Sequence, residues 1–415
     1  MILEHRKVIN RQIYAKEFNL ILVIIKLYLN KLTRYAGKII KSLYYLIYSF
    51  CYVVSASSNK KIVLISGFGH IRVLKIAEAL NLQGYRPILI TQNKAYLNNV
   101  LFEKVVLSQN DYHALYIASK KYKGSVFHVF CNWNYFLPKL LIRLKVGQIL
   151  VDTFDVMSYL VVPSIEKIYK KQIHDEKYCM THADGLVCRD LRTNILKKNN
   201  WKLPPRILFM DYINSISLEN THKILKKDVV YLGNIEMDAE KDAAFQYDLS
   251  KLFIEKKICF NIYPSRIEMA NTLRQNFNLI SQELLINNGI YIHDTVPPEL
   301  VPKILSNSSY GLLISGKNVN FYDSHDTSLR VNEKYFFAAK IFDYYQSGVF
   351  PIVQNGGFVG FIIKRMGVGA VVNSFDEIID VVEKNSDKEI IINYNKTLTL
   401  EYNSSRLFAF YKQYL

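Results

Sequence analysis

Short apolar runs alternate with amphipathic stretches through most of the chain. Between residues 60 and 210, the runs KIVLIS (Lys61 to Ser66), RPILIT, SVFHVF (Ser125 to Phe130), QILVDT, DGLVC (Asp184 to Cys188) and PRILFM (Pro205 to Met210) read as buried strands. The segments VLKIAEALNLQ, YFLPKLLIRLK, IEKIYKKQIHDEKYCMTHA and DLRTNILKK read as the helices between them. NSISLENTHKILKKD is polar and reads as a connector. A second series starts at VVYLGNI (Val229 to Ile235) and continues through ICFNIYPS, GIYIHDTV, YGLLIS, FPIVQN and GAVVN. PELVPKILSNS, EKYFFAAKIFDYYQS, FVGFIIKRM and SFDEIIDVVEK are its helices. Regular strand–helix alternation needs a parallel sheet with helices on its faces. The prediction is therefore an α/β protein of two Rossmann-like, doubly wound parallel-sheet domains facing a cleft, residues 59–212 and 213–392. A helix over 393–415 follows, with packing back on the N-terminal domain as one option.

Residues 1–58 break this pattern. They carry nine Lys/Arg against two acids, +7 of the chain's net +17. Between the charges lie FNLILVII (Phe18 to Ile25) and the uncharged SLYYLIYSFCYVVSASSN (Ser42 to Asn59). A bilayer span takes about 20 apolar residues. Here the strongly apolar part is only the 12 residues Leu43 to Val54, and it is rich in tyrosine. The reading is a basic helical extension lying on an anionic leaflet. A core helix packed on the next domain and a true span stay open. No cleavable leader pattern is visible.

The net charge points to an anionic partner: a membrane, phosphorylated substrates or nucleic acid. Outside residues 1–58 the charges are dispersed, which argues against nucleic acid. Five cysteines, an odd number at wide spacings without CxxC, argue against a disulfide framework or zinc cage and for a reducing cytoplasm.

Chemistry is expected in the loops that follow strands and face the cleft. GFGHIR (Gly67 to Arg72) lies between a strand and a helix, so Gly67 and Gly69 permit close backbone approach to a ligand. Arg72 stands where a dinucleotide fingerprint has its third glycine, and no acid ends the next strand, so a dinucleotide site is disfavoured. His70 is a candidate base. In DTFDV, Asp152 or Asp155 is a candidate base for a sugar hydroxyl, a turn aspartate being the bland alternative. Neither has a third partner with which to form a metal site. A polar loop of roughly 20 residues after Ser315, long enough to suggest function, holds Lys317, Asp323, His325, Asp326, Arg330, Glu333 and Lys334, a mixture suited to a nucleoside diphosphate.

KIFDYYQSGVFPIV resembles the K-[LI]-F-[ED]-Y-x-x-x-G-x-P-[VI]-[VI] segment of GT-B glycosyltransferases of the "group 1" kind, with one extra residue between Gly348 and Pro351. HDTVPPELVPKILSNSSYGLLIS, FIIKRMGVGAVV, VVYLGNI and HADGLVCRDLRTNIL are similar, in order, to further segments of that family. The resemblance covers about Lys60 to Asn373 and is most specific over residues 289–372. It implies a GT-B fold and sugar transfer from a nucleotide-sugar donor, with no metal or other cofactor. Asp343 would take the acid that binds the donor ribose, and Lys340 would face donor phosphate or simply pack. Gly233 and Asn234 would lie under the diphosphate. His293 to Val296, Thr295 among them, would border the base. Arg330 is assigned to the donor from its place in the charged loop. Retaining members often have a glutamate eight positions before the motif acid. Here that position is Tyr335 and the nearest acid is Glu333, so stereochemistry stays open.

With the basic extension, the expectation is a glycan or lipid-linked acceptor in cell-surface polysaccharide assembly, of capsule or O-antigen kind. The enzyme would be cytoplasmic, peripheral on the inner face of the membrane. A nucleotide-sugar epimerase, a polyol-phosphate transferase and a basic membrane- or nucleic-acid-binding protein without catalysis are the rivals.

Overall fold

The computed structural model describes residues 37–47, 49 and 60–415, except 68–70, 132–133, 154–155, 157, 159–165, 215–220, 234–236, 239–242, 277–281, 298–299, 315–337 and 355–356. Seven parallel strands form the first lobe: β1 (Ile62–Ser66), β2 (Ile88–Thr91), β3 (Lys104–Leu107), β4 (Val126–Phe130), β5 (Gln148–Thr153), β6 (Gly185–Cys188) and β7 (Arg206–Leu208). Their order is β3-β2-β1-β4-β5-β6-β7. The chain winds outward from β1, then returns to its other side at β4. The crevice between the ends of β1 and β4 is therefore the switch point, where such sheets bind ligands.

Why the strands read as unbroken apolar runs is plain from their surroundings. Val63 and Ile65 enter one core with Ile88, Ile90 and Val129. Ile62 and Leu64 enter the opposite one with Leu89 and Leu150. Burial on both faces removes the polar alternation of a half-exposed sheet. Each such side chain contributes about 1.5–3 kcal/mol. β3 escaped the sequence reading because KVVL is exposed or half-buried throughout.

The second lobe repeats the plan. β9 (Asp228–Gly233), β12 (Cys259–Pro264), β13 (Ile290–Ile292), β14 (Tyr310–Leu313), β15 (Phe350–Gln354) and β16 (Ala370–Val372) form a parallel sheet in the order β13-β12-β9-β14-β15-β16. Its switch point lies between β9 and β14. β10 (Met237–Asp238) and β11 (Ala243–Ala244) make a small antiparallel pair. Part of the polar connector is a strand, β8 (Thr221–Ile224), which pairs antiparallel with β17 (Glu389–Ile392). The sequence missed this because neither strand enters a sheet core as an apolar run.

The C-terminal helix, Leu400–Lys412, crosses back to the first lobe. Thr399 caps it by accepting from the Tyr402 amide. Leu407, Phe410 and Tyr411 join the core beneath β1 and β5. Gly185 gives this helix room: a Cβ there would lie 2.7 Å from the Tyr414 hydroxyl and 2.9 Å from Phe410. The same core takes in Ile341, Phe342, Phe358 and Ile362 from the second lobe.

Residues 37–47 are helical and rest on the helix Asp111–Lys121. Tyr45 is 8% exposed and stacks on His113 at 4.4 Å. The other segments expected within residues 1–58, FNLILVII among them, lie outside the described residues. Among the described residues, no helix is long and apolar enough to cross a membrane. Cys131, Cys179 and Cys188 are buried free thiols.

Candidate functional site

The second lobe's switch point is built from one glycine and one short helix. β9 ends at Gly233, whose φ of +134° is a conformation that side chains disfavour. A Cβ at Gly233 would also fall 1.7 Å from Lys340 Nζ. The backbone conformation thus calls for glycine here, and the Lys340 ammonium lies over it. Lys340 opens the helix Lys340–Gln346, and its Nζ sits 5.6 Å from the Tyr231 ring. Ile341, Phe342, Tyr344 and Tyr345 bury the other side of this helix, fixing its rotation. The Tyr344 hydroxyl donates to the Leu312 carbonyl at 2.9 Å, which ties the helix to β14.

Asp343 stands one turn after Lys340 on this helix. A cavity of about 490 Å³ opens beside it, lined also by Lys223, Val301 and Ser347. Lys223 is committed to carbonyls at and just after the end of the helix Val301–Ser306, donating to Ser306 at 3.0 Å and to Ser308. Part of the Asp343 surface meets solvent, yet the crowd of protein atoms around it desolvates the carboxylate. That desolvation raises its pKa; Lys75 and Lys340 oppose it, Asp211 reinforces it, and the balance lies at about 6. Lys75 and Asp211 belong to the first lobe, so the two lobes oppose each other at Asp343.

Further along the same sheet edge, His293 follows β13. Its ring stacks on Tyr263 at 4.1 Å and 4°, and its Nε2 lies 2.9 Å from Asn261 Oδ1. Burial first, then Arg274, holds its pKa below the usual histidine value. The ring is neutral at pH 7. Thr295 lies beyond it, exposed. Of the candidate donor residues, Gly233 and Lys340 meet at the switch point, and Asp343 stands one turn further along the same helix. His293 and Thr295 sit on the far side of β12. Asn234 and Arg330 lie outside the described residues.

On the first lobe, Gly67 follows β1, and a Cβ there would make only ordinary contact with Gln92 at 3.5 Å. Gly69, His70 and Asp155 lie outside the described residues. Asp152 is 1% exposed and fully engaged. Arg72 Nε donates to both of its oxygens at 2.9 Å, and His128 Nε2 lies 3.1 Å from Oδ2. Burial alone would raise the Asp152 pKa, but Arg72 and His128 outweigh it and hold the carboxyl below its ordinary range. A buried anion so paired has no lone pair facing a substrate, so the expected base role does not fit Asp152. It is the keystone of an ion network.

The network runs further. Arg72 Nη1 donates to Asp211 Oδ1 at 3.0 Å, and Tyr411 of the C-terminal helix meets His128 Nδ1. Burial keeps the His128 pKa low against the pull of Asp152. A neutral His128 donates from Nε2 to Asp152 and accepts at Nδ1 from Tyr411. Arg72 pairs Asp152 with Asp211, and Asp211 in turn acts on Asp343. Sequence reasoning assigned no role to Arg72, His128, Asp211 or Tyr411. A signal was present: an arginine opening an apolar helix and a histidine inside SVFHVF must find partners once buried.

Among the described residues, no group of three His, Cys, Asp or Glu is placed to hold a metal ion. No protein-family model matches the chain, and no curated protein matches its sequence. Solved structures do match in shape. The sucrose-phosphate synthase of Thermosynechococcus elongatus superposes with a TM-score of 0.53 at 14% identity, over 85% of this chain and 95% of that one. Anabaena HepE, solved in complex with UDP-glucose, superposes at 0.51 with 9% identity, over 86% of this chain and 95% of that one. Such likeness speaks for the fold: two Rossmann-like lobes in the GT-B arrangement.

Proposed function

We propose that the protein is a glycosyltransferase that moves a sugar from a nucleotide-sugar donor, bound on the second lobe, to an acceptor entering along the first. One observation carries this: Lys340 Nζ lies over Gly233 at the sheet's switch point, with Asp343 on the next turn of the same helix. An ammonium over a glycine at a strand end suits a diphosphate, and a carboxylate one turn on suits the two hydroxyls of a ribose. The described fold also matches HepE, whose bound UDP-glucose is a donor of this class.

In this reading Lys340 and backbone amides at the β9 turn take up the charge of the leaving diphosphate, so the chemistry needs no resident metal. Asp343 anchors the pentose by accepting from its hydroxyls. His293 borders the base. His70, between β1 and the helix Ile71–Asn81 in sequence, is assigned to deprotonate the acceptor hydroxyl.

The acceptor is proposed to be glycan or lipid-linked and presented at an anionic membrane. The helix 37–47 supports this: Ile39 (50% exposed), Ile40 (67%), Leu43 (51%) and Ile47 (59%) form an outward apolar stripe. Lys38 and Lys41 flank the stripe. Lys41 and Lys121, after burial, also push down the pKa of the neighbouring His113. An apolar stripe edged with lysines is the pattern of an interfacial helix.

The test is a thermal-shift panel of UDP-, GDP-, dTDP- and CMP-sugars on the full chain and on Asp343→Ala. One nucleotide should stabilise the wild type by several degrees and lose most of that effect in the variant. Equal shifts in both proteins would remove Asp343 from the donor site. Product analysis with labelled donor then separates transfer from epimerisation.

A further inference from the structure

A second cavity, of about 310 Å³, lies where three parts of the molecule meet. Met210 and Tyr212 come from the segment leaving the first lobe. Phe358, Phe361 and Arg365 come from the helix Gly357–Met366, and Tyr402 and Arg406 from the C-terminal helix. Along the first of these segments the side chains alternate. Asp211 turns to Arg72 and the donor cleft, while Met210 and Tyr212 line the cavity behind it. This space is thus separate from the donor site.

Its floor is apolar: Met210, Tyr212 and Phe358 are 3%, 2% and 5% exposed. Its mouth carries two aromatic rings left open to solvent, Phe361 at 52% and Tyr402 at 54%. Two guanidiniums stand there as well. Arg365 donates to Thr397 Oγ1 and lies 5.8 Å from the Phe361 ring. Arg406 donates to Asn403 Oδ1 at 2.8 Å and adjoins the Tyr212 phenol. Both arginines are exposed, and among the described residues neither has a carboxylate partner. Two guanidiniums thus stand at the mouth of one apolar hollow.

We infer that this cavity binds a small amphiphilic anion. Its phosphate or carboxylate head pairs with Arg365 and Arg406, and its hydrocarbon body lies on Met210, Tyr212 and Phe358. The planar guanidinium suits either head group, taking two oxygens at once. The volume is at the lower end of the roughly 300–1,000 Å³ of small-molecule sites, which limits the body to a single short chain or ring. A ligand here touches both lobes and the C-terminal helix, and so binds best to the lobe arrangement seen in the structure.

Isothermal titration of the full chain tests this with decyl phosphate and decanoate below their micellar concentrations, with decanol as the neutral body and inorganic phosphate as the bare head. One-to-one binding of one or both amphiphilic anions is expected, at least tenfold tighter than decanol or phosphate. Arg365→Gln and Arg406→Gln should each weaken it tenfold or more. Both positions are exposed, and matching melting temperatures confirm that the variants fold. Asp343→Ala should leave this binding in place, so its outcome is separate from that of the nucleotide panel. Decanol binding as well as the anions, affinity unchanged in both arginine variants, or no saturable binding at millimolar ligand would each overturn the site.

Discussion

In the proposed donor site Asp343 is the decisive residue, and its electrostatics weigh against the fold. An ordinary aspartate ionises near 3.8, whereas here desolvation and Asp211 place the pKa at about 6. The folded protein therefore binds more protons than the unfolded chain between these values, and this residue's contribution to stability falls as pH rises from about 4 to 6. Asp343→Asn removes that penalty. Its melting temperature should exceed the wild type's at pH 7 and approach it at pH 4. Donor affinity should behave in the opposite sense, rising from pH 5 to 7 in the wild type and staying low and flat in the variant. A wild-type affinity that ignores pH across this range would separate Asp343 from the nucleotide. Stability given up at one carboxylate for a binding contact is a common exchange at functional sites.

At the scale of elements, the C-terminal helix decides more than its position in sequence suggests. Its Tyr411 hydroxyl reaches His128 inside the first sheet, and through His128 and Asp152 it joins the Arg72–Asp211 pair. Tyr411→Phe keeps the ring and deletes only the hydroxyl, leaving the buried His128 Nδ1 without its donor. The expected loss is about 1–3 kcal/mol, read as a lower urea midpoint at unchanged slope. A neutral result would mean that the helix is held by Leu407 and Phe410 alone. The helix Lys340–Gln346 is shorter, but its four buried apolar side chains fix the direction in which Lys340 and Asp343 project. Its amphipathic face was legible in KIFDYYQS. The glycine that receives Lys340 lies about a hundred residues earlier, at Gly233, and no local pattern connects the two.

Across the whole molecule, two sheets share the same winding order, and the helix 37–47 adds an apolar stripe on the outside of the first lobe. If that stripe meets a membrane, the full chain should pellet with vesicles containing anionic lipid. Ile39→Glu with Leu43→Glu should lower the bound fraction several-fold, and raised salt should weaken the wild type. Equal pelleting of wild type and variant would assign the stripe another role.

The two α/β halves were legible in the amino-acid order, because strands buried on both faces must be continuously apolar and their crossover helices must be amphipathic. The KIFDYY helix and its acid were legible there too. Which polar groups oppose which emerged only with the folded contacts. Asp152 passed from expected base to buried keystone because Arg72 and His128 reach it from other elements. The β8–β17 pair, the return of the C-terminal helix and the cavity behind Asp211 arise from contacts between distant segments. Periodicity reports how a residue faces its own element, and such contacts leave no mark on it.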